Sequence, residues 1–198
     1  ISAISNQTIN AIVLAGSVAI AGGGTTGVAA AGSGVSSYNR IGMLTRAYIL
    51  GDGTTTLTLP ADIVKVTAQD TSTINATTGA AAVAVSFAGT AGVSVAIGAS
   101  IATNRIDSVV DAYMQGIILD ATTENTNIQI TAEQSSTIDA ISAAASLAAG
   151  IGGTAGVAVA GAGAWAENII LTKTNAYIAD SDISASGNLT VNADSDAT

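Results

Sequence analysis

Residues 79–102 read GAAAVAVSFAGTAGVSVAIGASIA, and the alternation within this stretch decides what the chain becomes. Val83, Val85 and Phe87 share one parity, while Ala80, Ala82, Ala84, Ser86 and Ala88 share the other. Past the centre, Val93, Val95, Ile97 and Ile101 alternate with Ser94, Ala96, Gly98 and Ser100. A period of two marks a strand, because successive side chains leave a sheet on opposite faces. The stretch recurs as AGSVAIAGGGTTGVAAAGSGVS from Ala15 and as AAASLAAGIGGTAGVAVAGAGAWA from Ala143. Each copy is broken at its centre by a turn: Gly24-Thr25-Thr26-Gly27, Gly89-Thr90-Ala91-Gly92 and Gly153-Thr154-Ala155-Gly156, at offsets of 65 and 64 residues.

Two other readings compete with a strand. The piece ISAAASLAAG, residues 141–150, suits a helix on propensity alone. Its equivalent in the second copy, TTGAAAVAVSFAG, carries β-branched residues in alternation, and equivalent positions of a repeat share one fold. Each core is also uncharged for more than twenty residues, long enough to span a bilayer as a helix. A Gly-rich break in mid-run, few Leu, Ile or Phe, and flanks without Lys/Arg clusters or aromatic belts oppose a membrane span.

The 198 residues include 14 acidic and 5 basic side chains, one Pro, and no Cys or His. Nucleic acid is an unsuitable partner for a net charge of -9, because its binding rests on neutralised phosphates. The balance suits a soluble or surface-exposed body, and the lack of Cys fits a bacterial surface chain without disulfides. Ile1 is preceded by no initiator Met or signal segment, so the sequence is expected to begin inside a longer one.

An eight-residue slot frames the repeats: ISAISNQT from Ile1, VTAQDTST from Val66, ITAEQSST from Ile130 and VNADSDAT from Val191. The repeats therefore run over 1–65, 66–129 and 130–190, about 64 residues each, with 191–198 opening a fourth, as in a window of a longer array. Within each period a polar strand enters the Gly/Ala-rich segment, which ends at Asn39, Asn104 or Asn168. Tyr48, Tyr113 and Tyr177 follow in register, each after an Ala. A variable stretch comes next, GDGTTTLTLPAD with Pro60, GIILDATTENT or ADSDISASG, and reads as an exposed turn region. The expectation is an all-β, solenoid-like stack with Gly/Ala-rich β-hairpins, about 20 residues per circuit and about three coils per period. The hairpin turns imply at least one antiparallel pairing.

A Gly/Ala-rich stretch such as GVSVAIGASIATNRI, then DAY or NAYI, then S-x-I-x-A-x-G-N-L-T-V-x-A, resembles the repeats of very large bacterial surface proteins, the filamentous haemagglutinin and leukotoxin-type filamentous adhesins. The resemblance covers the whole chain. It implies an elongated, β-rich, extracellular protein used in adhesion, biofilm or cell-cell contact. The first copy departs from the pattern where GDGTTTLTLPAD follows the AYI box.

Without His or Cys, the usual nucleophilic triads and zinc sites are excluded. Asp107 and Asp111 near Arg105, or Asp180 and Asp182, are the candidate acid pairs of a β-helical polysaccharide-acting enzyme. The plainer reading makes them solvated charges that discourage edge aggregation, and the chain is taken not to be an enzyme. No cofactor is implied. Calcium is at most an opportunistic ligand of Asp180, Asp182 or Asp194, since neither an EF-hand loop nor a calcium β-roll motif is present. The sequons at Asn6, Asn75 and Asn188 are chance products of a Thr/Asn-rich chain. The Gly-rich stretches lack the flanking residues of a phosphate loop, and the three tyrosines read as stacked structural residues before a binding row.

Both faces of the central strands are uncharged, a pattern expected of strands buried on both sides. Phe87, Val85, Val95 and Val157 are accordingly placed in the core, and Asp52, Asp120 and Asp182 on exposed turns. The flat face of Ala82, Ala84, Ala96, Ala158 and Ala160 is the candidate assembly surface, with Gly24, Gly27, Gly89, Gly92, Gly153 and Gly156 as repeat turns. The functional expectation is a structural segment of an extracellular filament or giant cell-surface adhesin. Its partners would be further repeats or copies of itself and a host or neighbouring cell surface. A carbohydrate- or ice-binding module is the alternative, to be told by an exposed, regular Thr or aromatic row.

Overall fold

The computed structural model describes residues 1–58, 63–121 and 126–198, and Pro60 lies outside them. Every described element is a strand. Six are very long: β1 (Ser2–Gly23), β2 (Thr26–Leu50), β4 (Ile63–Ala88), β5 (Ala91–Gln115), β7 (Asn127–Gly152) and β8 (Ala155–Ala179). Four are shorter: β3 (Thr56–Thr58), β6 (Ile118–Ala121), β9 (Asp182–Ala185) and β10 (Leu189–Ala197). The Ala-rich piece at 141–150 lies inside β7, so alternation outweighs helix propensity there.

The strands form three sheets, ordered β1-β4-β7-β10, β2-β5-β8 and β3-β6-β9. Every pairing is parallel and in register across the repeats: Val18 beside Val83 beside Leu147, Asn39 beside Asn104 beside Asn168, Tyr48 beside Tyr113 beside Tyr177. The chain is thus all-β and solenoid-like, as its alternation predicts, but the winding differs from expectation in two ways. The strands flanking each Gly-Thr-x-Gly turn join different sheets, so the turn makes an arch between layers and no antiparallel pair forms. Each period is one circuit, because a strand meets its equivalent 65 or 64 residues on and not after about 20. A 26-residue strand at about 3.3 Å per residue makes a coil roughly 85 Å long, rising about 4.8 Å per rung.

The arch also explains which residues are inside. Two sheets facing across one arch bury only the parity that points between them, and that parity changes character along the strand. Far from the arch it carries Val66, Ile74, Ile106, Val110, Met114, Ile128 and Ile130, all buried. Near the arch it carries Ala80, Ala82, Ala84, Ser86, Ser94 and Ala96, also buried. Small residues let the sheets close up there: a Cβ on Gly98 would stand 2.8 Å from the carbonyl oxygen of Ala145 and 3.6 Å from that of Ala80.

The bulky parity faces outward, which corrects the expected core. Phe87 is 47 % and Val157 50 % exposed, while Val85 and Val95 are half-buried by their rung neighbours. Two-sided burial of the uncharged strands does not occur within one chain. The variable stretches are not plain turns either. They contribute β3, β6 and β9, and Leu119 and Ala121 of β6 enter the core together with Ile117 just before it. Asp52 and Asp182 are exposed as expected, while Asp120 is half-buried within β6.

Candidate assembly surfaces

The candidate small face divides in two. Ala82, Ala84 and Ala96 pack together with Ala29 and Ala31 between the two large sheets of the same chain. Ala158 and Ala160 have the same inward parity but are exposed, because β8 is the last strand of its sheet and β10 extends the facing sheet only as far as Ser136 of β7. The six turn glycines stack at the arches, where Thr90 N–H donates to the Thr25 carbonyl (3.1 Å) and Thr154 N–H to the Thr90 carbonyl (3.0 Å). A Cβ at Gly27 or Gly92 would press to 2.6 or 2.5 Å of a backbone carbonyl oxygen, which explains glycine at these two positions.

Side-chain ladders repeat the backbone register. Asn39 Nδ2 donates to Asn104 Oδ1 (2.8 Å), and Asn104 Nδ2 to Asn168 Oδ1 (2.9 Å). This amide ladder lies 12 residues beyond the last glycine of each turn, where the inner face changes from small to bulky. Just inside it, Ser100, Thr78 and Ser142 close a ring of hydroxyls, each donating to the next at 2.9, 3.1 and 2.9 Å. Such a ring satisfies its members mutually, with no base beside it to activate an oxygen. Asp70, which sequence reading passed over, is wholly buried on the inner face and accepts from Ser72 Oγ at 2.8 Å. Its inward parity in VTAQDTST was the available signal.

The outer face beyond the amide ladder carries the charges. Arg105 grips Asp107 through two bonds (2.7 and 2.9 Å) and Arg40 joins at 2.9 Å, so the Asp107 carboxyl is held below the usual carboxylate range, chiefly by Arg105. Asp111 accepts from Arg46 Nε (2.8 Å) and Asn175 Nδ2 (2.7 Å). Both proposed acid-pair carboxylates of β5 are therefore occupied by guanidinium or amide groups. Asp180 accepts from Gln115 (3.3 Å), Asp182 opens β9, and Asp194 lies in β10 of another sheet. Among the described residues no three His, Cys, Asp or Glu side chains gather in a metal-holding group.

The tyrosines stack with ring centroids 5.2 and 4.8 Å apart and planes inclined by 12° and 2°. Their faces cover one another, leaving ring edges outward, and desolvation in the stack raises the Tyr177 phenol above its ordinary pKa. A row of Thr8, Thr73 and Thr137 also crosses the outer face, but its flanking rows are mixed: Asn6, Thr71, Ser135 and Asn10, Asn75, Asp139. The threonine row is one residue wide between these mixed rows, and the tyrosine row is a single stack.

The outer faces near the arch are the largest feature that sequence reading misplaced. From Ile9 to Asn39, Thr71 to Asn104 and Ala140 to Ala166 no residue is charged. Ile20 is 73 % and Trp165 62 % exposed. No helix among the described residues is long and apolar enough to cross a membrane. No protein-family model matches the chain, and neither a curated protein nor a solved structure matches it.

Proposed function

We propose that this chain is a structural segment of an extracellular filament or giant cell-surface adhesin, building length and presenting a surface to a host or neighbouring cell. One observation carries the reading: each period adds one rung, in register with the last, and the end rung repeats the edge it was built on. β8 closes its sheet with an unpaired edge, and the inward side chains Ala158, Ala160, Ala162 and Ala164 stand open beside it. Open parallel edges are templates for further strands, and dry packing of small side chains between sheets gives stacked β-structures their persistence. An extracellular setting draws support from the adhesin-like repeat motifs and the acidic, cysteine-free composition.

Replacing Ala84 and Ala96 by Lys would test folding and not assembly, since both lie between sheets of one chain. The suitable variant is Ala160→Lys with Ala162→Lys, on the exposed end rung. Electron microscopy of the wild-type chain should find unbranched fibres whose oriented diffraction carries a reflection near 4.8 Å along the axis. The double variant should keep its β-type circular dichroism and lose the fibres. Fibres unchanged by these lysines would refute axial growth through this edge.

A further inference from the structure

Along its central rung the outer face of the β1-β4-β7 sheet near the arch is self-complementary in relief, and we propose that the face pairs with the same face of a second copy, laterally and independently of axial growth. Across β4 the outward residues run Thr77, Gly79, Ala81, then Val83, Val85, Phe87: three small positions followed by three large ones. The small half forms a groove of about 350 Å³ lined by Leu14, Gly79, Ala81, Ala143 and Ala145. Beside it stands the ridge of Val18, Val83 and Leu147.

A two-fold axis parallel to the rung stack, placed between these rows, fits the two halves together. Val83 then lies over Ala81 of the second copy, Val85 over Gly79 and Phe87 over Thr77, so each large residue of the central rung meets a small one. The outer rungs follow the rule in part: in the first, Val18 lies over Gly16 and Gly22 over Ile12 while Ile20 meets Leu14, and in the third, Leu147 lies over Ala145 while Ala149 meets Ala143 and Ile151 meets Ile141. Both arms overlap while both charged halves project away, and Asp139 remains outside the contact.

Area and charge support this occupant. Three strands about 4.8 Å apart and eleven residues of about 3.3 Å give roughly 500 Å² of flat sheet per copy, hence about 1,000 Å² in all, where specific interfaces begin. The face has no charge to desolvate, and Ile12, Leu14, Val18 and Ile20 are all exposed on it, an apolar patch of the kind that marks an interface.

The test uses the full chain with Ala160→Lys and Ala162→Lys, so that axial fibres do not obscure the result. Sedimentation equilibrium should give twice the chain mass. Ala81→Lys and Val83→Glu, each added separately, should leave monomers with unchanged circular dichroism, and mixing the two should restore the dimer, because the lysine and glutamate face each other across the two-fold. A monomeric parent, single variants that still dimerise, or a mixture that stays monomeric would each overturn the proposal. Flotation of a monomeric parent with phosphatidylcholine vesicles would assign the face to lipid instead. Loss of lateral pairing leaves axial fibres of the wild-type chain unaffected, so the two readings fail separately.

Discussion

Gly116 and Asp180 occupy equivalent corners after β5 and β8, with φ of 64° and 51°. This left-handed region costs an ordinary side chain roughly 1–2 kcal/mol, and a Cβ at Gly116 would also stand 2.8 Å from the Gly51 carbonyl oxygen. Gly116→Val should therefore lower the urea midpoint by an amount worth about 2 kcal/mol or more, whereas Asp180→Gly should leave it unchanged or raise it. Charges at this scale set the acid limit. Thr54 and Thr55 N–H donate to Asp52 at 2.9 and 2.7 Å and hold its carboxyl far below the usual range, as Arg105 and Arg40 do less strongly for Asp107. A carboxylate whose pKa is depressed on folding contributes stability above its unfolded pKa of about 3.9 and loses it as pH falls through the folded value. Unfolding free energy should thus decline below about pH 4, and Asp52→Asn with Asp107→Asn should flatten that decline. An identical acid profile in the double variant would disprove the assignment.

Among the elements, the long strands invert the usual relation between size and burial. Ala84 is inside and Val85 is on the outer face, so Ala84→Leu, forcing apart sheets that nearly touch, should cost about 3 kcal/mol or more. Val85→Thr should cost less than about 1 kcal/mol. Chemical denaturation of the two variants checks the order, and the reverse ranking would place the sheets the other way round. This inversion also marks how far the sequence could be read. Strand, repeat length, turn positions and the tyrosine row were legible, because period-two alternation and fixed offsets are local properties. Which parity faces inward was not, since that depends on whether strands flanking Gly89-Thr90-Ala91-Gly92 pair with each other or lie in facing sheets. Hydrophobicity favoured Phe87 for the core. The narrow gap between facing sheets accepts only the alanines, serines and glycines of the other parity. The short strands β3, β6 and β9 were hidden for a related reason: their sequences differ between repeats, and only the register of the long strands brings Leu57, Leu119 and Ile183 side by side.

For the whole molecule, one period equals one rung, and β1 and β10 lie at opposite ends of their sheet. The hydrogen bonds that join rungs run along the stack axis. A pull on the two chain ends then opens the outermost rung first, while the inner rungs keep both neighbours. Each opened rung frees some 64 residues, whose extended length is about 220 Å at roughly 3.4 Å per residue. Single-molecule stretching should record successive force drops separated by about that length, and one all-or-none release of the whole chain would show the rungs to be mechanically inseparable. Such a coil lengthens by many times its folded height while every unopened turn stays intact, so that a load on its two ends is dissipated stepwise.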